Sequence, residues 1–299
     1  MKYTAISKRC LLFMLICLCG IFAKQQDVSA AKIHGRIFED YSEWDGTVKK
    51  DGKCYFKYER GIMYMSHSKH GAYVATTMQY DACGNGKKAY YVNCKDGALY
   101  EYTYAKRSSK KLKTIYSTKK ELSASVIAVY GSNVYVEVGG METFRCDTYI
   151  YNTKSKKITK KIKSCGITCV NGQYAVSEPS FRTDVSGSRQ DLFKFTKNGL
   201  KKVKVLSKYG WCARKVGKYF YYIEYPEKYS DLDAYRMDKG VVYRCKANGS
   251  GKKKIVSISA KEENSQIIVG TVTGKYLEYY MDGKNYRYTF KTKKTTKIQ

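Results

Sequence analysis

Residues 126–162 read VIAVYGSNVYVEVGGMETFRCDTYIYNTKSKKITKKI. Short runs of Val, Ile and Tyr alternate with polar residues and are separated by turn-forming ones. That is the pattern of strands on a pleated, partly buried surface. VIAVY, NVYVEV, TYIYNT and ITKKI predict four antiparallel strands in sequence order. Gly131 opens the first turn and a lysine-rich stretch makes the last.

The same unit recurs along the chain. A glycine followed two residues later by an aromatic or apolar strand stands at Gly52 (GKCYFKY), Gly86 (GKKAYYV), Gly131 (GSNVYVEV), Gly172 (GQYAVSE), Gly217 (GKYFYYIEY) and Gly274 (GKYLEYYMDG). The spacings are 34, 45, 41, 45 and 57 residues. A period near 40–45 with four short strands is the size of a propeller blade. Such units stack because each sheet buries its faces only against its neighbours. The predicted first strands are 126–130, 167–170, 211–216 and 267–272, each ending just before its glycine. Third strands are predicted at 98–104, 148–153, 191–196, 241–247 and 286–292. Fourth strands are predicted at 112–116, 158–162, 202–206 and 254–258. Six anchors predict an all-β, six-bladed propeller, with IHGRIF at 33–38 as first strand of the N-terminal blade. Five blades with an N-terminal closing element is the alternative.

Outside the repeat, the N-terminus reads as an export signal. Lys2, Lys8 and Arg9 precede the apolar run Cys10–Ala23, and Val28-Ser29-Ala30 supplies small residues at a cleavage site. The run is short for a membrane span. The expectation is a signal peptide over 1–30 and one domain over 31–299, with no transmembrane anchor after cleavage. The whole chain carries +30. The leader holds four bases and one acid, which leaves +27 on the mature part. A field that strong favours anionic partners and says little about fold. Eight cysteines remain after cleavage, an even number with no CxxC pair, open to disulfides or to buried thiols. The expected location is extracellular, secreted or associated with the cell wall.

The glycine anchors, the Tyr-Tyr strands and turns such as Asn248-Gly249-Ser250-Gly251-Lys252 resemble secreted β-propeller repeat proteins of Gram-positive bacteria. These are distantly similar to the YWTD propellers of lipoprotein receptors and to TolB-like propellers. The resemblance spans 52–299 and its motifs are structural; no literal YWTD is present. It implies a propeller fold, export and use as a binding platform, and it brings no catalytic motif.

The repeat divides the surface into two faces. Connections between second and third strands are long at 139–146, 178–190 and 224–240, and hold both prolines, Pro179 and Pro226. Insertions gathered on one end mark a binding face. The candidate ligand-binding residues there are Glu178, Phe181, Arg182, Tyr225, Asp231, Asp233, Tyr235 and Arg236. Lysines gather instead at the other turn and on the fourth strands: Lys110, Lys111, Lys156, Lys157, Lys160, Lys161, Lys201, Lys202, Lys252, Lys253 and Lys254. They predict a basic girdle for polyanions, set against the ordinary use of lysine to keep edge strands from pairing.

No GxSxG elbow and no phosphate loop occur. His67 and His70 read as surface histidines without further metal ligands, and no cofactor is expected. The leading expectation is a non-enzymatic, monomeric binding protein. Its ligand is an extracellular glycan or protein at the loop face, or an anionic cell-wall polymer at the girdle, without sequence-specific nucleic-acid binding. The alternative is a carbohydrate-active hydrolase or lyase using carboxylates of 224–240, Asp231, Asp233 and Asp238 among them.

Overall fold

A computed structural model describes residues 32–37, 47–59, 62–71, 74–75, 82–93, 95–117, 122–140, 145–178, 188–226, 237–262 and 265–298. Among them every helix or strand element is a β-strand, and no helix long and apolar enough to cross a membrane occurs. The predicted all-β class is therefore observed.

A short strand, β1 (Ile33–Gly35), is followed by six consecutive four-stranded meanders. The first is β2 (Val48–Asp51), β3 (Cys54–Glu59), β4 (Ile62–Ser66) and β5 (Val74–Ala75). The second is β6 (Cys83–Gly84), β7 (Lys88–Asn93), β8 (Ala98–Thr103) and β9 (Ser108–Thr114). The third is β10 (Leu122–Tyr130), β11 (Asn133–Gly140), β12 (Arg145–Asn152) and β13 (Lys157–Ile162). The fourth is β14 (Gly166–Asn171), β15 (Tyr174–Glu178), β16 (Ser188–Thr196) and the first part of β17 (Gly199–Val216). The fifth is the rest of β17 with β18 (Tyr219–Glu224), β19 (Lys239–Lys246) and β20 (Lys253–Ser259). The sixth is β21 (Ile268–Val272), β22 (Tyr276–Met281), β23 (Lys284–Thr289) and β24 (Lys294–Ile298). All pairings are antiparallel and run in chain order, apart from β1.

Two features depart from the sequence expectation. Residues 33–38 are not the first strand of the N-terminal meander; β2 takes that place. Instead β1 adds to the free edge of β10, Ile33 opposite Tyr130 and Gly35 opposite Ala128. Arg36 then bridges to Cys83, and the Ile37 N–H donates to the Ala82 carbonyl at 2.9 Å. The N-terminal strand thus satisfies backbone groups of two neighbouring meanders. The second departure is β17. Two strands were expected at 202–206 and 211–216, but one 18-residue strand pairs with β16 up to Gly210 and with β18 from Gly210 onward. A Cβ on Gly210 would lie 2.8 Å from the Ile223 carbonyl oxygen and 2.7 Å from Gln190 Oε1, so the residue where the strand changes partners has room only for glycine.

Period-two alternation decides which side chains go inside. The buried residues form five clusters, and each lies between two consecutive meanders. Phe56 and Met63 of the first meet Ala89 and Tyr91 of the second. Val92 and Leu99 meet Val134 and Val136 of the third. Tyr135 and Ile150 meet Ala175 and Phe195 of the fourth, with Tyr135 edge-on to Phe195 at 4.9 Å between ring centroids. Val176 and Leu192 meet Phe220 and Tyr222 of the fifth. Ile223 and Val242 meet Leu277 and Tyr279 of the sixth. Among the described residues no such cluster joins the sixth meander to the first. Their outward faces are polar instead. Arg287 lies 2.6 Å from Glu278 and over the Tyr276 ring, while Lys57 pairs with Glu59 at 2.7 Å and Lys50 stands over Tyr55.

Turns stitch the meanders at one end. Five of the six anchor glycines, Gly52, Gly86, Gly131, Gly172 and Gly217, have φ between 56° and 80°. Gly274 does not; there Thr273 Oγ1 accepts the N–H groups of Lys275 and Tyr276. Asp51, before the first anchor, accepts from the Gly86 N–H at 2.9 Å and from the Tyr104 hydroxyl. Asn171, before the fourth, donates to the Gly217 and Tyr219 carbonyls at 3.0 and 3.2 Å.

Among the described residues Cys54, Cys146, Cys165 and Cys245 are free thiols. Cys54, Cys83, Cys165 and Cys245 are buried, the environment of a small hydrophobe.

Candidate functional site

Sheet order fixes where the lysines stand. In each meander the fourth strand is the edge remote from the first. β9, the first half of β17, β13, β20 and β24 are those edges, and most of their residues are exposed. All eleven girdle lysines lie on these strands or in the turns leading to them. Each sheet pairs part of its own charge. Lys111 meets Asp96 at 2.8 Å, Lys161 meets Asp147 at 2.8 Å, Lys202 meets Asp191 at 2.7 Å and Lys252 meets Glu224 at 2.7 Å. Lys161 also stands 4.8 Å over the Tyr149 ring, and Lys252 stands 4.1 Å over that of Tyr243. The hydrogen bond to Asp147 raises the Lys161 pKa, so that ammonium stays charged. The other seven, Lys110, Lys156, Lys157, Lys160, Lys201, Lys253 and Lys254, are exposed and make no ion pair among the described residues. Surface pairs contribute little to stability. The unpaired ammonium groups therefore remain available to an anionic partner.

The loop face is described only at its margins. Phe181, Arg182, Asp231, Asp233, Tyr235 and Arg236 lie outside the described residues, as does the side chain of Glu178. Tyr225 is described and is buried; its hydroxyl donates to the Ile267 carbonyl at 2.8 Å, which ties the fifth meander to the sixth. Asp238 is also buried. The strands flanking 178–188 and 224–239 are β15 and β16, and β18 and β19, so both loops do join second to third strands.

A cavity of about 380 Å³ lies where the first strands converge. Lys49 on β2, Ile127 on β10, Ile167 on β14, Arg214 on β17 and Val272 on β21 all line it, together with Arg36 after β1. Among the described residues its charged lining is basic: Arg36, Lys49, Arg214 and Lys215. Glu137 stands behind Arg36, 4.0 Å from its guanidinium, and accepts the Ile167 N–H at 3.0 Å. Burial raises the Glu137 pKa against the pull of Arg36. The spacing of the basic residues in the sequence gives no sign of this convergence, because it depends on how the sheets are arranged.

One cluster has the residue types of a nucleophilic pair. Cys54 Sγ is 3.7 Å from His67 Nδ1, and His67 Nε2 is 2.7 Å from the Tyr102 hydroxyl. His67 is thus drawn between the first two meanders, where the sequence reading had a surface residue. Burial, then the Asp51 charge, push the Cys54 thiol up to about 11, and desolvation and Arg107 lower the His67 pKa. Near neutral pH the pair is a thiol and a neutral imidazole, whereas nucleophilic catalysis needs the thiolate. The contact packs the sheets together. No group of three metal-ligating side chains occurs among the described residues.

Known structures with related shape are distant. An oligogalacturonate lyase from Vibrio parahaemolyticus aligns over 89% of this chain and 78% of its own, at 10% identity and a TM-score of 0.48. The β-propeller domain of the Trilobed protease from Pyrococcus furiosus, which has an open velcro topology, aligns over 90% and 84%, at 12% identity and a TM-score of 0.41. TolB from Acinetobacter baumannii aligns over 89% and 62%, at 8% identity and a TM-score of 0.34. No protein-family profile and no curated protein matches the sequence. At these identities and TM-scores no activity, substrate or site residue transfers.

Proposed function

We propose that the mature chain is a secreted, six-bladed β-propeller that serves as a non-enzymatic binding protein, holding an anionic polymer of the cell wall along its lysine-bearing edges. The propeller arrangement is supported by two observations. Five cores each join one meander to the next, and first strands of five meanders line one cavity. The observation that carries the binding role is the row of seven exposed, unpaired lysines repeated on the outer edges of the second to fifth meanders.

Such a row recognises charge density. Neutralising regularly spaced phosphates releases condensed counterions and needs no shape-specific pocket. Teichoic-acid-like polyphosphates suit this surface and an exported protein. Stacking of bases is not provided for, because most of the tyrosines whose burial is described pack within the sheets or between them.

The test is retention of the mature protein on purified Gram-positive cell wall. The fourfold change of Lys156, Lys157, Lys160 and Lys161 to Glu lies on one exposed turn and strand and is expected to leave the fold intact. Retention at low salt should fall severalfold. Retention equal to that of the parent, with a native circular dichroism spectrum, would mean that these lysines only protect strand edges.

A further inference from the structure

We infer that Arg244, Lys246 and Lys253 form a subsite for a single oxyanion, a phosphate or carboxylate on a sugar or polyol unit, at the turn end of the fifth meander. The repeat itself supplies the comparison. Tyr219 and Tyr276 stand two residues after the anchors Gly217 and Gly274. On the third strand beside each, an arginine lies over the ring: Arg244 is 4.5 Å from the Tyr219 centroid, and Arg287 is 4.3 Å from that of Tyr276. The residue opposite differs. Glu278 faces Arg287 and accepts from its Nε and Nη2 at 3.0 and 2.6 Å. Tyr221 faces Arg244 and hydrogen-bonds to it, which supplies a dipole but no counter-charge. The sixth meander thus carries its own carboxylate on a guanidinium seated over tyrosine. The fifth leaves the same seat to an external anion.

Register puts two more cations beside it. Arg244 pairs with Lys253 on β20, and Lys246, two residues along β19, pairs with Tyr219. They share the side of the sheet that turns Ile223 and Val242 toward the sixth meander. Lys246 and Lys253 are exposed, and Arg244 is half-buried. Among the described residues none of the three makes an ion pair. The guanidinium is also held. The Tyr219 ring lies under it, and Tyr221 is buried and stacked on Phe290 of the sixth meander at 5.8 Å and 9°. An arginine fixed in this way loses little freedom on binding, and its planar fork matches two oxygens of one phosphate or carboxylate. Lysines offer separate point charges instead. For its natural ligand the subsite rests on the polyanion reading, and it adds to that surface a place where one anionic group is recognised by geometry.

Subsite and edges can be separated experimentally. The chain from residue 31 onward, labelled with ¹⁵N, is titrated with glycerol 3-phosphate and with glucuronate. Sodium chloride at equal ionic strength and glucose are the controls, and the arginine Nε–H resonances are followed. The Arg244 resonance, identified by its loss in Arg244→Lys, should shift saturably with at least one of the two anions, and the tighter one identifies the group. The Arg287 resonance, tied to Glu278, should stay in place. Arg244→Lys keeps the charge and loses the fork, so affinity for the small anion should fall about tenfold, while the salt dependence of duplex DNA binding is unchanged. The Lys156, Lys157, Lys160 and Lys161 to Glu variant should do the reverse. Should Arg244→Lys lose its fold, Lys246→Gln, at an exposed position, takes its place and should weaken the binding severalfold. Shifts no larger than those from chloride overturn the inference. So does a shift at Arg287 equal to that at Arg244, or undiminished affinity in a folded variant. If wall retention proves independent of the lysine edges while the Arg244 shift persists, the polymer reading fails and the subsite stands.

Discussion

Gly52 cannot gain a side chain without moving its neighbour's backbone. Its φ is +58°, and a Cβ there would come within 1.9 Å of the Gly86 carbonyl oxygen, the next anchor in the repeat. Gly172 has nearly the same φ, +57°, and open space around it. The pair separates conformational cost from steric cost. Gly172→Ala should lose about 1 kcal/mol, the cost of an L-residue in the left-handed region. Gly52→Ala should lose more than about 2 kcal/mol, because two sheets must also part. Urea unfolding of the two variants measures the difference. The glycines were legible from their spacing alone, but their contacts were not. Nothing in GKC and GNG says that one turn rests on the other.

The buried thiols make a pH prediction at the same scale. Burial pushes Cys54 and Cys245 up to about 11 and Cys146 up to about 12 from 9.0. A pKa raised in the folded state means that folding favours the protonated form. The associated stability is intact below pH 9 and is lost as pH rises toward 11 and beyond. Chemical denaturation midpoints should therefore fall steadily between pH 9 and 11, and less so in Cys54→Ala. Iodoacetamide at pH 8 should leave Cys54 unmodified until the protein is unfolded. Prompt modification of the native protein would contradict the burial. His67 was misread in sequence because its partners, Cys54 and Tyr102, are 13 and 35 residues away.

At the scale of elements, alternation within a strand tells inside from outside, but not which sheet lies opposite. NVYVEV shows that its odd and even positions face different ways. Only the structure shows Val134 and Val136 against the second meander and Tyr135 against the fourth. Tyr135→Ala should cost about 3–5 kcal/mol, since the ring is fully buried and edge-on to Phe195. Tyr280→Ala, on the polar outer face of the sixth meander and 43% exposed, should change stability by less than about 0.5 kcal/mol. Thermal unfolding of both checks this; a large loss at Tyr280 would mean that the sixth sheet is covered. The joined strand β17 was missed for a related reason. Ser207-Lys208-Tyr209-Gly210 resembles a connector in composition, yet its backbone passes from β16 to β18 without leaving the sheet.

At the scale of the molecule, the charge was the plainest feature of the sequence, and its placement followed once the fourth strands were identified. The convergence of Arg36, Lys49, Arg214 and Lys215 was not legible, since no local pattern links residues 36, 49 and 214. The residues predicted for the loop face lie for the most part outside the described ones, so the lysine edges and the Arg244 subsite carry the functional account. Its central claim is that the edges bind polyanion by charge density. The most direct measurement is the affinity of the chain from residue 31 onward for a labelled duplex DNA, used as a polyphosphate of known spacing, across a range of salt concentrations. Polyanion binding by the edges gives one affinity for unrelated sequences and a log–log slope of about −0.9 per phosphate neutralised. The slope should be shallower after Lys156, Lys157, Lys160 and Lys161 are changed to Glu. A slope near zero, or one unaltered by those four changes, would contradict it.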